Sequence, residues 1–175
     1  RIPHYHFIAE ARYKGAEVYT IAPDVSPSAV HADYYLGVVP GSDAALALGA
    51  AYVVLEEGLV DEKFAREQTD LPLLMNAATS RYLRESDMTD GGSDVQFYVW
   101  DRTSNAPIQA PRGTLFWGDA EPMLEGEFTV QTKEGPLQVE TVLTAVRRRL
   151  DDYTPELAAT ICGIHADTIR SLARK

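Results

Sequence analysis

EVYTIAPDVSPSAVHADYYLGVVPGSDAALAL, residues 17–48, decides how this chain folds. Its first part, Glu17 to Ala22, is rich in β-branched and aromatic residues and stops at Pro23, which has no amide to continue a central ladder. A short helical stretch around Pro27 to His31 separates it from a second apolar run, Tyr35 to Val39, closed by Pro40 and Gly41. Ser42 and Asp43 then open a long run of Ala, Leu and Val, Ala44 to Glu57, as the cap and first turn of a helix apolar nearly all round and hence packed on most of its surface. Upstream, Pro3 to Lys14 reads as a helix with Pro in its first turn and Gly15 as its stop. This order of helix, strand, short helix, strand and helix predicts an α/β fold, a Rossmann-like open and mainly parallel sheet with flanking helices.

Working outward, Asp61 to Gln68 predicts a short charged helix, Ala77 to Arg84 a weak one, and Gly91-Gly92 a break. Val95 to Asp101 reads as a strand, and Ala106 to Trp117, with Pro107, Pro111 and Gly113, as an irregular loop. Gly126 to Thr132 and Leu137 to Glu140 read as two strands around a turn at Lys133 to Pro136. Helices return over Thr141 to Leu150, Pro155 to Cys162 with Thr154 as cap, and Ala166 to the end. At 175 residues the chain is long enough for one sizeable core. The expected organisation is a single α/β domain over 1–175 carrying a small β-rich insertion over about 88–140.

Charge and composition exclude several classes. With 16 basic against 26 acidic residues, net −10, the chain lacks the clustered cations that grip a nucleic-acid backbone. A single cysteine, Cys162 in an apolar stretch, rules out an intrachain disulfide or a thiolate cluster and reads as a buried thiol. No apolar run approaches the roughly 20 residues of a membrane span, so direct membrane insertion is not expected. His4 and His6 are two apart and do not share a helix face, so no metal ligand is assigned. His31 reads as packing locally and His165 as a helix-entry residue. Arg147, Arg148 and Arg149 read as a solvated face or ion pairs, and Trp100, Phe116 and Trp117 as core or interdomain packing. The opening Arg1-Ile2-Pro3, without Met, reads as a processing or excision point.

Ligands of open α/β sheets sit beyond the carboxyl ends of the strands. Here those ends are Ala22-Pro23-Asp24-Val25-Ser26 and Gly41-Ser42-Asp43, and each carries an aspartate. A carboxylate there accepts from two adjacent donors, which suits a ribose diol or the N1–H and amino edge of guanine. The amides from Gly41 to Ala44 suit a phosphate or ribose oxygen without any basic side chain. No Gly-x-Gly-x-x-Gly turn follows either strand, against an NAD-dependent dehydrogenase. A stand-alone nucleotide-binding or interaction module without redox activity is the alternative these residues leave open.

Longer motifs narrow the choice. RIPHYHFIAEARYKGAEV (1–18) resembles the segment that follows the first cofactor loop of molybdopterin oxidoreductases. IAPD (21–24), Ala32-Asp33, PGSDAALAL (40–48), MLEGEF (123–128), YTPELAA (153–159) and IHADTIRSLAR (164–174) follow in that family's order and rough spacing. Over nearly its whole length the chain therefore resembles a catalytic subunit of the dimethyl sulfoxide reductase superfamily. It leans to the branch with respiratory nitrate reductase, selenate and (per)chlorate reductases, dimethyl sulfide dehydrogenase and ethylbenzene dehydrogenase.

The resemblance implies an internal fragment of a molybdenum bis(molybdopterin guanine dinucleotide) oxidoreductase, active only in the intact subunit. By position, Ala22, Pro23, Asp24, Val25, Ser26, Gly41, Ser42 and Asp43 would line the guanosine site of one cofactor, with Asp43 reading the base. Ala22 stands where many members carry an acid, leaving Asp24 as the carboxylate of that turn. The resemblance places the metal ligand and an iron–sulfur cluster elsewhere in the subunit, with no catalytic residue in this chain. It also implies two partners, the rest of the catalytic subunit and an iron–sulfur electron-transfer subunit.

Overall fold

Two short strands pair in parallel in the first of two compact units. The computed structural model describes residues 2–175, with side chains from residue 4 onward. It divides into one unit comprising residues 1–57 with 150–175 and another comprising 58–149. The insertion expected over about 88–140 lies within the second.

In the first unit, α1 (Ile2–Tyr13) ends at Gly15, whose φ of +93° suits a residue without Cβ. β1 (Tyr19–Ile21), a 3-10 turn (Ala29–His31) and β2 (Tyr34–Leu36) follow, the strands in register from Tyr19↔Tyr34 to Ile21↔Leu36. The Tyr19 and Tyr34 rings stack at 4.5 Å, a cross-strand pair that helps fix this register. α2 (Asp43–Glu56) buries Ala45, Leu46, Gly49 and Val53 along one face, and most of its other apolar residues are half-buried. That face meets α6 (Pro155–Cys162) and α7 (Ala166–Ala173).

Together these elements enclose a core of Leu36, Val38, Ala45, Leu46, Ala158, Cys162, Ile164 and Ile169. Cys162 is fully buried in it. Gly49 explains the close helix contact, since a Cβ there would lie 2.7 Å from the Cβ of Ala158. Thr154 caps α6 by accepting from the Leu157 amide, as expected, and His165 caps α7 by accepting from the Asp167 amide.

The second unit holds α3 (Glu62–Gln68), capped by Asp61, then β3 (Leu74–Asn76), α4 (Glu85–Met88), β4 (Tyr98–Asp101) and β5 (Ala106–Gln109). β6 (Glu127–Thr132), β7 (Gly135–Thr141) and most of α5 (Val142–Leu150) complete it. β3, β7 and β6 form one antiparallel sheet, and β4 and β5 another, around Leu74, Leu83, Tyr98, Val130 and Val139. The class is α/β as expected; the sheets are small, and among the described residues parallel pairing is confined to β1 and β2.

Three local expectations need correction. Ala77 to Arg84 is not helical. The Asn76 carboxamide accepts from the amides of Ala78 and Thr79, and Tyr82 bridges back to Met75, so a turn and a strand bridge replace the helix. The loop expected over Ala106 to Trp117 contains β5, whose Pro107 is tolerated because β5 is the outer strand of a two-stranded sheet. Phe116 is 77% exposed and is not core, whereas Trp100 stacks on Phe128 at 4.2 Å and the Trp117 indole donates to the Arg66 carbonyl. The basic run does form ion pairs. Arg148 holds the fully buried Glu140 through both terminal nitrogens at 2.7 and 2.6 Å, and Arg147 pairs with Glu125.

Asp101 ties the end of β4 to two loops. Its carboxylate accepts from the Ser104 hydroxyl and amide and from the Glu121 amide. These bonds, the Ser104 hydroxyl first, hold its carboxyl down to about 2. A folded-state value below the ordinary one contributes stability above about pH 4 that is lost as pH falls toward about 2. Hydrogen exchange of the 101–122 amides is expected to accelerate over that interval in the wild type. The acid-dependent step should be absent in Asp101→Asn; an identical profile in both would assign the acid response to other groups.

Candidate functional site at the carboxyl edge of the parallel pair

Parallel pairing brings the carboxyl ends of β1 and β2 to one edge, so the turn starting at Ala22 and the loop starting at Gly37 leave the sheet side by side. The first turn is anchored at its root. The Ala22 amide donates to the Leu36 carbonyl, and the Tyr35 hydroxyl donates to the Ala22 carbonyl at 3.0 Å. Beyond that, Pro23, Asp24 and Val25 are exposed, and Ser26 turns the chain by accepting from the amides of Ser28 and Ala29. No described residue donates to the Asp24 carboxylate.

The second turn is held more firmly. Val38 is buried, and the Val39 amide donates to the Cys162 carbonyl at the end of α6. Gly41, at φ +83°, reverses the chain into α2, and a Cβ built on it meets nothing within 4 Å, so its outer face is open. Ser42 departs from its expected role as side-chain cap. It is buried, and its hydroxyl donates to the Val39 carbonyl at 2.6 Å, fastening the turn to itself.

Asp43 is exposed, and its carboxylate has no partner among the described residues. The Asp43 and Ala44 amides, in the first turn of a 14-residue helix, have no intrahelical acceptor, and none elsewhere among the described residues. The edge thus presents free amides, where the helix dipole favours anionic oxygens, beside carboxylates that favour N–H and O–H donors.

Several supporting residues have no signature in the sequence. Tyr35 looks like an ordinary strand residue, and its hydroxyl role appears only once β1 lies beside β2. Arg12 and Asp33 are 21 positions apart, yet they form a two-pronged ion pair at 2.6 and 3.1 Å that ties α1 to the opposite, amino edge of the strands. The Asp33 carboxyl lies below the usual range because of Arg12 first and the Val18 amide second. His31 packs its ring on Tyr5. No group of three or more His, Cys, Asp or Glu among the described residues is placed to hold a metal ion, and no helix among them is long and apolar enough to cross a membrane.

These elements define an α/β segment with two exposed polar turns at the carboxyl edge of a parallel strand pair. No protein-family model matches the chain. It is 40% identical over 99% of its length to the dimethylsulfide dehydrogenase subunit alpha of Rhodovulum sulfidophilum, covering 19% of that protein. It is 37% identical over its whole length to the perchlorate reductase subunit alpha of Dechloromonas aromatica, covering 22% of it. With the respiratory nitrate reductase subunit alpha of Haloferax mediterranei it shares 34% identity over its whole length and 19% of that protein.

The fold is also that of a portion of acetylene hydratase from Pelobacter acetylenicus, with a TM-score of 0.51 and 17% identity over 98% of this chain and 14% of that one. The chain belongs to the dimethyl sulfoxide reductase family of molybdopterin enzymes. It spans about a fifth of the length of the curated relatives it matches.

Proposed function

We propose that this chain holds the guanosine end of one molybdopterin guanine dinucleotide within the catalytic subunit of a molybdenum bis(molybdopterin guanine dinucleotide) oxidoreductase. The observation that carries the reading is the carboxyl edge of β1 and β2, where the unpartnered Asp43 carboxylate stands beside the free amides that open α2. Asp43 accepts from the N1–H and exocyclic amine of guanine, and the Asp43 and Ala44 amides donate to ribose or phosphate oxygens. Asp24 and Ser26 border the sugar from the first turn, with Ala22, Pro23 and Val25 forming its wall. Gly41 lets the backbone approach, and Ser42 keeps the turn in shape.

When bound, the cofactor supplies two-electron redox of a small substrate at molybdenum. The residues of this chain supply affinity and orientation. The remainder of the catalytic subunit supplies the metal ligand and an iron–sulfur cluster, and an iron–sulfur subunit carries the electrons. α1 supports placement within a larger subunit. Tyr5, Phe7, Ile8 and Tyr13 leave it in several directions and are 44–91% exposed. A helix apolar on several sides is covered in its working state.

Asp43→Ala and Asp43→Asn in the full-length subunit test the assignment. A hydrogen bond to a charged group contributes about 1.5–3 kcal/mol, so Asp43→Ala should hold the nucleotide roughly ten- to a hundredfold less tightly. Asp43→Asn should be nearly as damaging, because half of its end group is a donor facing donors. Guanine nucleotide released per polypeptide on acid hydrolysis is the readout, taken after dialysis. Wild-type content in both variants would move the guanosine elsewhere.

A further inference from the structure

We propose a second binding site, in the second unit, for a small molecule that carries a carboxylate or phosphate together with hydrogen-bond donors. A cleft of about 450 Å³ lies between the Asn76–Asp87 segment and the turn of the β6–β7 hairpin. That volume suits a small polar metabolite. Arg81, Arg84 and Lys133 line it together with Asp87, Asp94 and Glu134.

Many of the described arginines hold a carboxylate, although Arg102 and Arg112, like Arg81 and Arg84, hold none among the described residues. Arg12, Arg66, Arg147, Arg148, Arg170 and Arg174 each hold a carboxylate. The side chains of Arg81 and Arg84 hold none among the described residues, although the chain has 26 acids and three of them line the same cleft. The Nε of Arg84 is buried with no acceptor. The same is true of the Nε of Arg147, so the case for a ligand rests on the guanidinium groups of Arg81 and Arg84, which line the cleft without a carboxylate and suit an oxyanion through paired N–H donors.

The walls are fixed. Arg84 bridges Phe97, and its amide donates to Asp87. The Lys133 amide donates to the Asp87 carbonyl, and Thr132 closes the hairpin on Gly135. Asp94 and Glu134 disfavour a bare anion. They select a ligand whose oxyanion is accompanied by amino or hydroxyl groups, and this acidity is what separates the cleft from a general anion trap.

Titration calorimetry on the full-length subunit, with inorganic phosphate, O-phosphoserine and glutamate as probes, tests the proposal and separates phosphate from carboxylate as the anionic group. Phosphoserine or glutamate is expected to bind saturably and more tightly than inorganic phosphate. Arg81→Ala and Arg84→Ala should each weaken binding about tenfold or more, and Arg84→Lys should fall between Arg84→Ala and wild type. Should Arg84→Ala fail to fold, Arg81→Ala, at an exposed position, carries the test alone. Saturable binding of none of the three probes, or affinity unchanged in the folded variants, overturns the proposal.

Discussion

Ile169→Ala is expected to destabilise the first unit by about 2–5 kcal/mol. Ile169 is fully buried among Leu36, Leu46, Ala158 and Cys162, and its Cγ2 lies 3.4 Å from where a Cβ on Gly49 would stand. Gly49 and Ala158 beside it have no side chain long enough to fill the vacated space, so a cavity remains wherever Leu36 and Leu46 do not relax into it. The effect reaches the carboxyl edge, because the Val39 amide that anchors the second turn donates to Cys162 in the same cluster. Hydrogen exchange in the full-length subunit should speed up across α2, α7 and residues 39–43 while β6 and β7 keep their protection. Unchanged exchange at 39–43 would show that the turn is held independently of this core.

Gly92→Ala is the corresponding test of the second unit. A Cβ at Gly92 would lie 2.3 Å from the Glu85 carbonyl oxygen, 2.5 Å from its carbon and 2.8 Å from the Ser86 nitrogen, all backbone atoms at the start of α4. Since backbone cannot step aside as a flexible side chain does, the 85–93 turn must open, at a cost of about 1–3 kcal/mol or more. Gly91→Asn is the control. Gly91 has φ +76° and open space around it, and Asn tolerates the left-handed region, so its effect should be small. Limited proteolysis of the 85–95 segment should be faster in Gly92→Ala than in Gly91→Asn. Equal rates would mean that the turn already samples an opened form.

Residues 17–48 show which parts of the fold the sequence makes legible. Strand composition ended by Pro23 and by Pro40-Gly41, and a long apolar helix opening at Asp43, are local signals, and the corresponding elements lie within a few residues of the expected ones. The second unit was harder to read because its order is set by non-local pairing. Asn76 diverts the chain from helix into a turn by bonding its own neighbours, and β5 forms only because β4 is there to pair with it. The Thr154 cap and the His165 helix entry are legible as helix boundaries; the partition into two units is not.

At the site, sequence order and spacing identified the two turns but not what holds them. Ser42 reads as a cap from its type, whereas its hydroxyl donates to the Val39 carbonyl. The Tyr35–Ala22 and Arg12–Asp33 bonds join residues 13 and 21 apart, distances at which no periodicity operates. The exposure of Asp43 was likewise invisible in one dimension, because an aspartate at a helix start is as readily capping or paired as free.

We propose that the carboxyl edge of β1 and β2 receives a guanosine. The structure of the intact, cofactor-loaded subunit tests it most directly. The guanine of one cofactor is expected about 3 Å from the Asp43 carboxylate, with the 22–26 turn against its sugar. Both guanines bound elsewhere, with Asp43 facing solvent or another part of the polypeptide, would contradict it.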